Sequence, residues 1–436
     1  MRCWRVCSAL GAVLLWAAMA TAQGDTLRLT VEELLRMGME NNLKLKADTM
    51  EVQMAKDRRR SAAAERSPEL TVSARAGYMG QPIVFEQGLT RPTYPDAPDW
   101  MQDYAVDFTQ PIFHGGKIHY AVKRATIAQT IAELQAESDG DALKLGLMQH
   151  YLDLFSLYKQ RDVLTRSIAE SERRLEDIKR MKREGLITNN DVLRSELQLT
   201  NDRLQLDETE NSIALVSHQI DVLLGLDEGL LIAPDTTLLA RSYITGSYEE
   251  YLQQAYDGNP DIKMLAKETE MAEADVKIER AGYMPDIDLY VGDALARPIT
   301  RTMEDKFSNT WNVGVNISYP LSSLYKNRDG VSEKKRNVLL RKNMEEQYKQ
   351  EVRVGIRSAY IRHSEAVKQV DALRLSVKQA EENYRIMQNR YLSQLTTLTD
   401  LLDAENVRLE AELLLTTAQT RVIYTYYELQ KACGNI

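Results

Sequence analysis

Between Lys117 and Gly185 the apolar residues Ile127, Ile131, Leu134, Leu145, Met148, Leu152 and Phe155 recur at threes and fours, and no proline interrupts them. That period marks a helix with a narrow seam for partner helices, not a helix buried on all sides. At ~1.5 Å per residue such a helix runs about 100 Å, far beyond what a globular domain needs. The pattern upstream is different. Leu70, Val72, Ala74, Ala76 and Tyr78 alternate with Glu69, Thr71, Ser73, Arg75 and Gly77, the period of two that a strand with one apolar and one polar face shows. A loop rich in proline and glycine from Gly80 to Asp99 leads to a second alternating stretch, from Trp100 to Thr109, with Tyr104, Val106 and Phe108 on one side and Asp103, Ala105, Asp107 and Thr109 on the other. Before the strands, Thr30 to Arg66 reads as one helix whose start carries Thr30 and Glu33 at capping-box spacing. After the long helix, a turn at Gly185 precedes a second helix from Asp191 to Leu224, and 226–246, with Pro234 and little periodicity, reads as irregular.

The whole plan then repeats. Ser247-Tyr248-Glu249-Glu250 echoes Thr30-Val31-Glu32-Glu33, and Asn259, Met271 and Pro285 stand 217 residues beyond Asn42, Met54 and Pro68. From Pro111 and Pro320 onward the offset is 209 and holds without a gap through Lys117/Lys326, Asp191/Asp400, Glu196/Glu405 and Gly225/Gly434. Helices do not keep register by chance across a strand pair and a turn together, so the pattern is an internal duplication. The loop between the strands is eight residues shorter in the second copy. Because Gly140 is matched by Lys349 inside an uninterrupted helical pattern, the long helix is expected to run through Gly140 at a local cost of ~1 kcal/mol. The second copy supplies Ile287, Leu289 and Val291 opposed by Asp286, Asp288 and Tyr290. It also supplies Trp311, Val313, Val315, Ile317 and Tyr319 opposed by Asn312, Gly314, Asn316 and Ser318.

Composition narrows this picture. Arg2 and Arg5 precede an apolar run from Ala9 to Met19 and then Ala20-Thr21-Ala22, the form of a cleavable secretory signal. The expected layout is a signal peptide at 1–22, a first repeat at 23–225, a connector at 226–246 and a second repeat at 247–436. The formal charge of −9 becomes two units more negative once Arg2 and Arg5 are removed, which makes the chain a poor nucleic-acid binder. Cleavage also removes Cys3 and Cys7 and leaves Cys433 without a disulfide partner. His114, His119, His150, His218 and His363 show no metal-ligand spacing, and there is no phosphate loop or nucleophile elbow. Neither a cofactor nor an enzymatic activity is expected. His114 and His119 read as solvent-facing residues.

No later segment is apolar enough for a membrane-crossing helix, so any insertion must use strands. Strands of this length match the roughly 9 to 11 residues of a transmembrane β-strand. Four strands per chain cannot close a barrel, for which ~8 is the practical minimum, and an open edge in lipid leaves backbone groups unpaired. Chains must therefore share one barrel. A ring of long seam-packed helices around a central space favours three chains over two.

This ordered layout resembles the TolC family of outer-membrane efflux channels. Pro111-Ile112-Phe113-His114-Gly115-Gly116 after the second strand and Thr399-Asp400-Leu401-Leu402-Asp403-Ala404 after the second turn resemble that family's recurring motifs, and the match covers essentially the whole mature chain. The resemblance implies a mixed α and β, TolC-like fold: a homotrimer with a shared 12-stranded barrel in outer-membrane lipid and a long α-helical coiled-coil tunnel in the periplasm of a Gram-negative bacterium. The implied function is the passive exit duct of a tripartite efflux or type I secretion system, working with a periplasmic adaptor and an inner-membrane pump. A periplasmic coiled-coil scaffold or tether is the alternative, and it leaves four amphipathic strands unexplained.

The resemblance also assigns sites. Asp400 and Asp403, three apart on one helix face, imply a carboxylate gate, since three chains bring six like charges toward one axis and favour cations there. The simpler role for Asp400, as for Asp191, is to start a helix. Gly185, Leu186 and Thr188, with Leu395 and Thr397, imply exposed turns that meet the adaptor. Trp100, Trp311 and Tyr319 imply membrane-interface anchors, with Trp100 and Trp311 opening their strands.

Overall fold

The computed structural model describes residues 26–94, 96, 98–235, 238, 241, 243, 246–299 and 304–436. The expected signal peptide lies outside the described residues. In chain order the elements of the first repeat are β1 (Thr26–Leu29), α1 (Val31–Asn41), α2 (Leu43–Ala64), β2 (Glu69–Tyr78), β3 (Val84–Gln87), β4 (Thr90–Thr93), β5 (Trp100–His114), α3 (Lys117–Arg183) and α4 (Asn189–Leu224). Then come β6 (Leu231–Pro234), α5 (Tyr248–Gly258), α6 (Pro260–Ala281), β7 (Asp286–Arg297), β8 (Ser308–Ser318), α7 (Ser323–Leu392) and α8 (Leu398–Ala432). The long helix runs through Gly140 as expected. Among the described residues no helix is long and apolar enough to cross a membrane.

The residues fall into two compact units, each drawing on both repeats. One comprises the segment ending at Lys46 with Asp139–Asn259 and Val352–Ile436; the other comprises Ala47–Ser138 and Pro260–Glu351. In the first unit, Leu34, Leu147, Met148, Leu154, Ile220, Leu224 and Ile232 form a core without solvent exposure. The connector, expected to be irregular, contributes β6, which pairs in parallel with β1. Buried Tyr151 joins this small sheet to α3. Its hydroxyl donates to the Leu29 carbonyl at 2.7 Å and accepts from the Asp235 amide at 2.7 Å, and burial pushes its pKa up to about 12.

Two of the expected helices are each broken in two. The Asn42 amide closes α1 on the Gly38 carbonyl at 3.1 Å, while its side-chain oxygen accepts from the Lys44 amide at 2.9 Å and so starts α2. At the matching place, Asn259 is followed by Pro260, which disfavours helical geometry in the residue before it; Asn259 has ψ 120. Both asparagines also reach the last turn of a partner helix, Asn42 to the Leu223 carbonyl at 3.5 Å and Asn259 to the Ala432 carbonyl at 3.2 Å. The duplication thus extends to individual hydrogen bonds. Capping boxes start α1 at Thr30/Glu33 and α5 at Ser247/Glu250.

In the second unit the four long strands form one antiparallel sheet in the order β2-β5-β7-β8. The repeats meet at β5 and β7. The Gly80–Asp99 loop is not structureless, since β3 and β4 make a separate hairpin within it. The second strand runs five residues past its expected end, through Pro111 to His114, and accommodates the proline with a register shift between Pro111 and Phe113.

Candidate functional site: hairpin ends and sheet faces

The register brings the alternating residues of four strands onto common faces. Leu70 pairs with Phe108, Phe108 with Val291, and Val291 with Val313. One level on, Val72, Val106, Asp293 and Trp311 form the next row. Leu70, Val72, Val106, Val291, Val313 and Trp311 are exposed, so this face is an apolar band that no described residue of the chain covers. Asp293 is the acidic exception, and alternation did not single it out. The opposite face carries Thr71, Arg75, Asp103, Asp107, Asn312 and Asn316. On it the Tyr290 ring lies so close over Gly314 that a Cβ there would sit 2.7 Å from the phenol oxygen, so the glycine is required by close approach. The two outer strands, β2 and β8, have no partner on their outer edges among the described residues.

The expected membrane-interface residues occupy this sheet. Trp100 opens β5 as expected and packs edge-on against Tyr78, its cross-strand partner, at 6.1 Å. Trp311, 76 % exposed, does not open its strand: β8 begins three residues earlier at Ser308, opposite Ala296. Tyr319 lies one residue beyond the end of β8 and is exposed. His114 is not solvent-facing, since it is half-buried with Nε2 2.7 Å from Asp288 Oδ1. His119 is exposed beside Tyr120. Among the described residues no group of three or more His, Cys, Asp or Glu could hold a metal ion.

The two helical hairpins end in matching turns. The Leu186 amide donates to the Met181 carbonyl at 3.0 Å and the Gly185 amide to the Lys182 carbonyl at 3.0 Å; the partners are Leu395 to Arg390 at 2.8 Å and Gln394 to Tyr391 at 2.9 Å. This pair of bonds is the Schellman motif, which needs its turn residue in the left-handed region. Gly185 meets that need with φ +75, whereas Gln394 adopts φ +60 with a side chain. Leu186 and Leu395 point into solvent.

After each turn a capping box starts the next helix. At Thr188, the Asp191 carboxylate accepts from the Thr188 amide at 3.0 Å and hydroxyl at 2.8 Å. At Thr397, Asp400 Oδ2 accepts from the Thr397 hydroxyl at 2.6 Å, the Thr396 hydroxyl at 2.8 Å and the Thr397 amide at 3.0 Å. The hydroxyls of Thr397 and then Thr396 hold the Asp400 carboxyl below the usual carboxylate range. Asp400 is therefore ionised and tied to its own turn, while Asp403 is exposed on the following turn. Arg194, which stands where Asp403 stands in the other copy, reaches the Thr399 hydroxyl. Beneath the turns Ile178, Val192, Leu199, Tyr384, Tyr391, Leu398 and Leu401 form a second apolar core.

A few residues above lies a buried polar network that sequence reasoning missed. Glu405 is 2 % exposed and pairs with Arg174, which is itself mostly buried. Arg174 also donates to Ser171 Oγ at 2.8 Å and the Tyr384 hydroxyl at 3.3 Å. Ser171 Oγ lies 3.4 Å from both Glu405 Oε1 and Asp202 Oδ2, and Gln198 donates to Asp202 at 2.9 Å. Burial pushes both carboxyls upward, opposed by Arg174 at Glu405 and by hydrogen bonds from Gln198 and Ser171 at Asp202. The available signal was charge at core spacing: Glu405 follows buried Leu401 and Ala404 on the same helix face.

Comparison with known proteins agrees with this geometry. No curated protein matches the chain in sequence. Among solved structures, CusC superposes with a TM-score of 0.81 at 16 % identity, covering 96 % of both chains. VceC from Vibrio cholerae gives 0.76 at 20 % identity, over 93 % of this chain and 96 % of its own. The open-state MtrE outer-membrane channel of Neisseria gonorrhoeae gives 0.74 at 16 % identity, over 93 % and 88 %. A family model described as outer membrane efflux protein matches residues 34–226 and again 251–435. With the model matching both repeats across most of its length, the chain belongs to the outer membrane efflux protein family.

Proposed function

We propose that three copies of this chain form one outer-membrane channel with a periplasmic helical tunnel, the passive exit duct of a tripartite export system. The observation that carries this reading is the four-stranded sheet with an apolar outer face, a polar inner face and two unpaired edges. Among the described residues each edge lacks a strand to take its backbone groups, and in lipid every such group needs one. Three copies joined β2 to β8 supply twelve strands and leave no edge. Helices of 67 and 70 residues give staves of about 100 Å, long enough to carry a conduit well away from the bilayer. A periplasmic tether would leave the sheet's apolar face in water.

In this reading energy comes from an inner-membrane pump, and a periplasmic adaptor joins it to the duct. The exposed turns at Gly185, Leu186 and Thr188, and at Leu395 and Thr397, contact the adaptor. Asp403, one turn after the capping Asp400, lines the constriction. Gln394 in place of a second glycine adds a side chain to a turn of the same backbone form, so the two adaptor contacts differ. The test is fractionation followed by sizing in mild detergent. The protein should sediment with outer membranes and run as a trimer; a monomer in the periplasmic fraction would sink the proposal.

A further inference from the structure

The hairpin formed by β3 and β4 has no place in the duct described so far. All eight of its strand residues are exposed, yet it and its flanks carry Ile83, Val84, Phe85, Leu89 and Tyr94, with Leu89 at the tip 86 % exposed. Its strands are nonetheless ordered, with Val84 opposite Thr93 and Phe85 opposite Pro92, and with the Thr93 hydroxyl donating to the Val84 carbonyl at 3.1 Å. The strands also carry Glu86, Gln87, Thr90 and Arg91, so the apolar surface is concentrated at Val84, Phe85 and the tip residue Leu89, and such a cluster left in water marks a contact.

Its position narrows the choice. The hairpin joins β2 to β5 at the Tyr78/Trp100 end, whereas α2 and α3 attach at the other end of those strands. With the helices on the periplasmic side, the hairpin stands at the outer mouth. Twelve strands spaced ~4.8 Å and tilted ~40° close a barrel of radius about 12 Å. Residues 79–83 reach up to ~16 Å and a hairpin arm adds ~14 Å, so the tip can cross the axis. The corresponding loop of the second repeat is shorter and forms no hairpin among the described residues, its ends being tied by the Arg297–Asp305 ion pair and by Arg297 stacked on Phe307. Among the described residues each protomer thus contributes one such hairpin.

We propose that the hairpins of three copies converge over the outer mouth and bury Phe85 and Leu89 against one another, closing the channel from outside. The occupant of the apolar face is a second copy of this chain. The proposal rests on the shared-barrel reading and goes beyond it, because a barrel closes without any such contact.

Single cysteines at Phe85 and Leu89 test it, since Cys433, the free cysteine among the described residues, is fully buried. Oxidation of intact cells should give disulfide-linked dimers within the trimer, whereas Leu70→Cys, on the outer face of the sheet, should stay monomeric on the same gel. Replacing Val84–Thr93 by a glycine-serine linker should raise single-channel conductance in planar bilayers. Purified trimers that yield no linked dimer from either cysteine, or whose conductance ignores the replacement, overturn the closure and leave the duct standing. A hairpin cysteine shielded from a soluble maleimide without cross-linking assigns the face to lipid and also overturns it. Failure to isolate trimers overturns both.

Discussion

Replacing Arg174 by methionine should uncouple the helices around Glu405 far more than the loss of one hydrogen bond implies. Glu405 is 2 % exposed, and without Arg174 its remaining hydrogen-bond partner is Ser171 Oγ at 3.4 Å, with Arg408 acting on it only through its charge. Stripping a buried charge of its partner costs about 3–5 kcal/mol. The carboxyl has one escape, which is to bind a proton. Holding an ordinary glutamate neutral costs about 1.36 kcal/mol per pH unit above ~4.3, or about 4.4 kcal/mol at pH 7.5 and 1.6 at pH 5.5. The variant's penalty is therefore capped at both values and shrinks on acidification. Native-state hydrogen exchange of the trimer, followed at the amides around 170–178 and 401–409, reads the opening directly. Protection should fall by about 100-fold or more at pH 7.5 and by about 10-fold at pH 5.5, since 1.4 kcal/mol is one decade. Adding Glu405→Gln removes the stranded charge and should restore most of the protection, giving a coupling above ~2 kcal/mol in the double-mutant cycle. A loss below 10-fold at pH 7.5, independent of pH, with no rescue by Glu405→Gln, would refute the reasoning.

Asp202 gives the complementary case. Its native pKa is raised by burial, so its contribution to stability is fully present below ~4 and is lost as pH rises through the raised native value. Asp202→Asn should accordingly raise the thermal midpoint at pH 7.5 and lose that advantage below pH 4; a lower midpoint at pH 7.5 would contradict this account. Gln394→Gly should stabilise the second turn by about 1 kcal/mol by relieving a left-handed side-chain-bearing residue, seen as slower exchange of the Leu395 amide, and unchanged exchange would count against strain there. Neutralising Asp400 and Asp403 together should alter single-channel conductance or cation preference in planar bilayers, and identical values would remove both from the constriction.

Sequence periodicity determined much of this protein by itself. The 67-residue helix, the alternating strands, the capping box at Thr30 and the duplication are local properties, because a period of 3.6 or 2 and a turn residue act within a few positions of the chain. The turn at Gly185 and the helix starts at Asp191 and Asp400 were legible for the same reason, whereas the capping roles of Thr188 and Thr397 came from the structure. Other features needed the tertiary structure. The pairing of β1 with β6 joins short segments more than 200 residues apart, too short to show a period. The Asn42 break depends on a side chain choosing the Lys44 amide over continued helix, a contest of small energies. Glu405 and Asp202 look like surface charges in sequence, and only the packing of four helices shows that they share one buried cluster. The hairpin between Gly80 and Asp99 reads as a proline-glycine loop, since four-residue strands carry almost no alternation. The gate turn shows the division best. The two carboxylates at Asp400 and Asp403 are plain in the sequence, but three-dimensional hydrogen bonding ties Asp400 to its own cap and leaves Asp403 exposed.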